Sequence, residues 1–272
     1  MSFVFAYAPR QSRRARLLDC LLFLLTLPGL AWLVARGAER SGYNWQWGRV
    51  WGYVARREDG NLVIGPLLRG LGVTLEITAL GMVCAALFGL IAALLRLSPS
   101  PLGRGLARLY LELIRNTPLL VQIFCLYFIF APILGIGRMT AAVLALSLFE
   151  GAYVSEIFRA GILAVPRGQW EACRSLGLTK AQTLAHVILP QALRIVAPPL
   201  TSQAITLVKD SALVSTIAVY ELTMQGRAII ADTYLSFEIW FLVAALYLAV
   251  TLALSALSGW VKRRCEPGRK SR

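Results

Sequence analysis

Apolar residues run along this chain in blocks far longer than a soluble core helix needs. The stretch from Asn116 to Gly137 contains no charged side chain, and neither does the stretch from Ile239 to Val261. About 20 apolar residues cross a ~30 Å hydrocarbon layer, so blocks of this length predict membrane-spanning helices. Six spans are predicted, over 17–35, 66–95, 106–134, 138–163, 190–220 and 237–261. The fold class is therefore an all-α, polytopic membrane bundle. The block at 17–35 follows Arg10, Arg13, Arg14 and Arg16, as the apolar region of a secretory signal would. It is longer than such a region and no small-x-small cleavage site follows it, so a retained helix is expected.

Composition agrees, with 57% hydrophobic residues, 15% charged and a mean hydropathy of +0.64. Soluble domains carry about a quarter of charged residues. A net charge of +14 raises nucleic acid or anionic lipid as a partner. Much of that charge sits at the ends of the apolar blocks, which turns the expectation from nucleic acid to membrane lipid. Arg96, Arg104 and Arg108 follow the second span, Arg167, Arg174 and Lys180 the fourth, and Lys262 to Arg264 the sixth. By the positive-inside rule these segments are expected to be cytosolic, as are both termini. The first external loop, 36–65, runs against the rule with Arg36, Arg40, Arg49, Arg56 and Arg57. Its aromatics Tyr43, Trp45, Trp47, Trp51 and Tyr53 suit the outer membrane surface, or a docking partner.

Small residues recur at every fourth position of the second span, at Gly81, Ala85, Gly89 and Ala93. One helical face is smooth there, for internal packing or for a subunit contact. Five cysteines show no metal-ligand spacing, and no metal site is expected.

The segment from Val165 reads VPRGQWEACRSLGLTKAQTLAHVILPQA, the chemistry of two short helices joined by a tight turn. Pro166 suits a helix start. Gly177 suits the left-handed position after a helix end. Thr179 with Gln182 makes a capping-box pair for the second helix, and Pro190 marks the start of the next span.

This segment resembles the EAA loop of permease subunits in ATP-binding-cassette importers. Glu171, Ala172, Gly177, Leu189 and Pro190 match its pattern in spacing, with Cys173 replacing the second alanine and Val187 an isoleucine. The resemblance implies that this coupling loop, 164–190, docks on an ATPase subunit. The chain has no G-x-x-x-x-G-K-[ST] phosphate loop. It is therefore not expected to be an enzyme or to hold a cofactor, ATP and Mg being bound by the partner. Three further stretches, Glu112–Gln122, Phe149–Gly161 and Leu207–Thr216, look like the polar amino acid uptake branch. That resemblance covers 66–262 and implies five core spans, a second permease subunit in a homodimer or heterodimer, and an extracytoplasmic solute-binding protein. The helix at 17–35 is then an addition, and 263–272 a basic cytosolic tail.

Ionisable groups inside spans are costly and mark functional positions. Glu150 lies about twelve residues, or ~18 Å, below the outer end of its span. It is a candidate for a solute ammonium group, the alternative being a helix–helix hydrogen bond. Arg115, Asn116 and Thr117 precede Pro118, with Gln122 one turn on. Arg115 is placed either at a solute carboxylate or snorkelling to the interface. Lys209, Asp210 and Ser211 interrupt the fifth span and are expected to break the helix, as is tolerated at a cavity. Glu156 and Arg159 stand three apart and pair. Other readings are a permease for another small solute (a quaternary amine, methionine or an opine) and a helical membrane protein working without ATP.

Overall fold

The computed structural model describes residues 42–58 and 60–265, with scattered helical positions between 22 and 40. The expected cytosolic N-terminus, 1–16, and most of the basic tail, 263–272, lie outside the described residues. The chain forms two units, Met1–Gln46 and Trp47–Arg272. In the first, described positions of the block at 17–35 are helical. The Arg36 guanidinium lies 4.9 Å from the ring centre of Trp32, and Tyr43 meets Trp45 edge-on.

The second unit opens on a helical turn, Trp47–Val50 continued by Trp51–Tyr53, and then a hairpin that the hydropathy pattern does not predict. Strands β1 (Ala55–Glu58) and β2 (Asn61–Ile64) pair antiparallel, with Ala55 opposite Ile64 and Glu58 opposite Asn61. The two-residue link ends on Gly60, whose φ of +80° is a conformation that L side chains avoid.

The bundle follows. Helix α1 (Pro66–Leu97) starts with proline in its first turn and stops before Pro99, where the chain turns extended. Helix α2 (Pro101–Arg115) is capped by Ser100, whose hydroxyl accepts from Gly103 N–H. Helix α3 (Leu119–Leu134) contains a wide turn over Cys125–Phe130 with i→i+5 bonding. The chain bends by 106° between α2 and α3, so the apolar block predicted over 106–134 is not one straight span. Pro118 cannot donate to an α-helical ladder, and the residue before it avoids the helical region.

Helix α4 (Arg138–Leu163) is central, with 61% of its apolar window buried. Two short helices, α5 (Arg167–Ser175) and α6 (Lys180–Gln182), then lead through a wide turn at Thr183–Ile188 into α7 (Leu189–Asp210). Helix α7 carries Pro198 and Pro199 in its interior. At Ser211 it tightens into a 3-10 segment, Ser211–Ile217, which ends on left-handed Ala218. Helix α8 (Leu222–Thr233) lies in the connection between the blocks predicted over 190–220 and 237–261. Helix α9 (Ser236–Cys265) is peripheral, with only 11% of its apolar window buried and Trp240, Phe241, Leu248 and Leu252 exposed. Among the described residues, α1, α4 and α9 are long and apolar enough to cross a membrane, and α2 with α3 passes that test as a bent pair. Helix α7 does not pass alone: Gln191, Arg194, Gln203, Lys209 and Asp210 dilute it.

The small-residue face of α1 packs inside the bundle. A Cβ on Gly89 would stand 2.7 Å from Val154 Cγ1 and 2.9 Å from Ser155 N, so glycine lets α1 and α4 touch at backbone distance. Gly81 faces Leu207 of α7, and Ala85 and Ala93 are fully buried.

Candidate functional site

The loop between α4 and α7 is built from local bonds. Pro166 caps α5 in extended conformation. At the other end Gly177 has a φ of +74°, which lets the chain reverse. Gly177 N–H then donates to Arg174 O at 3.0 Å and Leu178 N–H to Cys173 O at 3.1 Å, the paired bonds of a Schellman ending. One residue later Thr179 starts the next helix. Gln182 N–H donates to Thr179 Oγ1 at 3.3 Å, and Thr179 N–H donates back to Gln182 Oε1 at 2.9 Å. The two caps share the link 176–179, so the angle between α5 and α6 is held by backbone bonds at both sides.

This elbow is seated on the bundle by an apolar cluster. Val165, Ile188 and Ala192 pack with Ile162 of α4, while Leu94, Trp170, Val187 and Leu189 lie against them. Cys173 turns inward and is buried. Glu171, Ala172, Gly177 and Pro190 are exposed. The side of α5 left uncovered carries one carboxylate, Glu171, and the small Ala172, along with Arg167 and Arg174.

The second group lies where α4 meets α7. Glu150 is fully buried and its Oε2 accepts a short hydrogen bond from Gln203 Nε2 of α7. Its Oε1 is buried without a hydrogen-bond partner. The Asp210 carboxyl is its electrostatic neighbour. Ser211 is also fully buried and closes the turn by donating to Val208 O at 2.7 Å, whereas Lys209 is exposed. The end of α7 thus brings the half-buried Gln203 amide and Asp210 carboxyl against the buried Glu150. Gln203 was not singled out in the sequence; a polar Thr201-Ser202-Gln203 run within an apolar block is the signal that marks it.

Arg115, Asn116, Thr117 and Gln122 occupy the bend between α2 and α3, where Gln122 bonds to Thr117 and the group as a whole bonds back to the end of α2 and to Glu156. Gln122 Nε2 donates to Ile114 O at 2.8 Å, Thr117 O at 3.1 Å and Thr117 Oγ1 at 2.7 Å. Asn116 Nδ2 donates to Glu112 O and Oε2, both at 2.8 Å. Thr117 Oγ1 donates to Leu113 O. Arg115 reaches Glu156 at 3.5 Å and lies 5.6 Å from the Tyr153 ring centre. Glu156 also holds Arg159, at 3.0 Å, as the spacing predicts. Arg96 at the end of α1 is a third partner at 2.5 Å, which no sequence spacing announces. Gln122 Oε1 remains buried and without a partner. No group of three or more potential metal-ligating side chains occurs among the described residues.

Comparison with known proteins is consistent with this architecture. Residues 85–267 match the family described as the binding-protein-dependent transport system inner membrane component. The glutamine transport system permease GlnP of Escherichia coli is 39% identical, over 73% of this chain and 92% of its own. The L-cystine transport system permease TcyB of Bacillus subtilis is also 39% identical, over 74% of this chain and 87% of its own. A solved amino acid ABC transporter, crystallised with histidines, is 41% identical with a TM-score of 0.67 over 73% of this chain and 94% of that one. The inward-facing MetNI methionine ABC transporter, 22% identical with a TM-score of 0.65 over 74% of this chain and 96% of that one, shares the fold. The chain belongs to the inner-membrane permease components of binding-protein-dependent ABC transport systems.

Proposed function

We propose that this chain is the membrane-spanning subunit of an importer that carries a polar amino acid inward. Its power comes from a separate ATPase subunit that binds ATP and Mg. Solute arrives from an extracytoplasmic binding protein, and a second permease subunit, identical or related, completes the path. Five core spans and the added helix at 17–35 cross the membrane, with both termini cytosolic.

The observation that carries this reading is the doubly capped elbow at 166–182 with Glu171, Ala172 and Gly177 on its open side. A lever must be stiff to pass force on. The elbow's angle is set by four backbone and capping bonds, and its base is seated on α4 and α7. Relatives named as glutamine and L-cystine permeases support the amino acid assignment. Glu150, Gln203, Asp210 and Ser211 are assigned to the path, where two neighbouring carboxyls suit an incoming ammonium group. Lys209, Arg115, Asn116, Thr117 and Gln122 flank it.

The test is reconstitution with the matching ATPase and binding protein in vesicles, followed by uptake of a labelled amino acid panel. ATP-dependent accumulation of one polar amino acid is expected. Failure of a cross-linker at residue 171 or 177 to capture any ATPase in native membranes would overturn the coupling role. Uptake of a quaternary amine, methionine or an opine instead would redirect only the substrate assignment.

A further inference from the structure

Helix α2 has two unlike faces. Leu102, Leu106, Leu109 and Leu113 repeat at helical spacing and are 72, 55, 56 and 59% exposed. Arg104, Arg108, Glu112 and Arg115 repeat on the other side. A helix of this kind lies in the plane of a bilayer surface with its leucines in the acyl boundary. Its position agrees: α2 follows directly on the end of α1 and precedes the 106° bend into α3.

The polar side of α2 closes a cavity of about 340 Å³ against the ends of α1 and α4. Arg104, Arg108 and Arg115 line it from α2, Arg96 from α1 and Arg159 from α4. Only two carboxylates, Glu112 and Glu156, face these five guanidiniums, an excess of three positive charges. Glu156 is already shared by Arg96, Arg115 and Arg159. Glu112 accepts from Asn116, and Arg104 is turned to the carbonyls of Ser98 and Pro99. Arg108 has no carboxylate within ion-pair distance among the described residues, and its side chain is exposed. Like charges gathered in a partly enclosed space repel strongly unless an anion joins them. A phosphodiester, with oxygens for several guanidinium forks, is the anion that such a cluster fits.

We infer that this cavity holds the phosphate of an anionic phospholipid, with Arg108 as its main ligand. Leu97 and Leu111 in its wall supply apolar surface beside the charges, and the leucine row on the opposite side of α2 sets the helix at the acyl boundary, where glycerol and acyl chains are at hand. A soluble phosphate shares the charge but has no use for that surface. The inference rests on α1 and α4 crossing the membrane, not on which solute moves.

The experiment uses the purified transporter complex in phosphatidylcholine nanodiscs titrated with phosphatidylglycerol, bound lipid being counted by native mass spectrometry. Retention of phosphatidylglycerol over phosphatidylcholine is expected. Arg108→Glu should cut that retention on the order of tenfold, given the usual attraction of one basic side chain near an anionic surface, and Arg108→Lys should restore most of it. Glu112→Gln, which removes a competing negative charge, should raise it, and tests the site even if Arg108→Glu fails to fold. Equal retention of the two lipids, or no response to Glu112→Gln, would overturn the inference. Displacement of phosphatidylglycerol by millimolar inorganic phosphate would assign the cavity to a soluble anion and overturn the lipid source.

Discussion

Gln203 of α7 donates its side-chain amide to one oxygen of Glu150 on α4, a buried group whose other neighbour is the Asp210 carboxyl. Two carboxyls held side by side in low dielectric repel when charged, and an arriving ammonium group relieves that repulsion. Glu150→Gln keeps the shape and the bond to Gln203 but removes the charge. Uptake kcat/KM in reconstituted vesicles should fall about 10- to 100-fold, as expected for losing a charge-assisted bond of about 1.5–3 kcal/mol. Basal ATP hydrolysis should persist. Uptake at the original rate would remove Glu150 from the path.

Gly177→Val places a β-branched side chain at a φ of +74°. The left-handed conformation costs an L residue about 1–2 kcal/mol, so the link between α5 and α6 should shift. Helical circular dichroism should stay unchanged, while solute moved per ATP drops several-fold. A variant with normal coupling would show that the elbow's angle does not matter.

Gly89 marks the closest approach of α1 to α4. Gly89→Val must push Val154 and the Ser155 backbone aside, and overpacking of this order costs about 1–3 kcal/mol. Thermal unfolding in detergent should shift down by several degrees. Gly105→Ala on α2, where an added methyl meets nothing within 4 Å, is the control and should leave the midpoint level or raise it.

Gln122→Leu removes the two N–H donors, shared among Ile114 O, Thr117 O and Thr117 Oγ1, that tie α3 to the end of α2 and to the link. At about 1 kcal/mol each, with partial compensation by water, the bend should loosen by about 1–2 kcal/mol. Amide hydrogen exchange over 113–124 should speed up locally while α4 and α9 keep their protection. An unchanged local rate would mean that Pro118 alone holds the bend.

The long helices α1, α4 and α9 were legible because hydrocarbon thickness writes itself into sequence as run length. The elbow was legible because its ends use glycine, threonine and glutamine in positions set by backbone bonding. The bend at 116–118 was hidden, since Leu and Ile spaced on one face of α2 read, by hydropathy alone, like the start of the next span. Its arginines at 104, 108 and 115 carried the missing period. The hairpin at 55–64 was announced only by Asp59-Gly60, a turn pair outweighed by the aromatics around it. Helix α8 ends on Tyr234 with a φ of +60°, which no residue preference predicts. Its start depends on Glu221, a buried cap that also binds Tyr247 of α9 at 2.8 Å. Such contacts join residues far apart in the chain and leave no local pattern.

Pro198 and Pro199 stand between the elbow and the Gln203–Asp210 end of α7. Neither ring nitrogen can donate, so the carbonyls of Arg194 and Ile195 receive no ladder bond from four residues on. The rod is missing two rungs at that level, and bending there breaks none. Any change of direction at that level therefore tilts the Gln203–Asp210 half of the helix against the rest, about a swivel already cut into it.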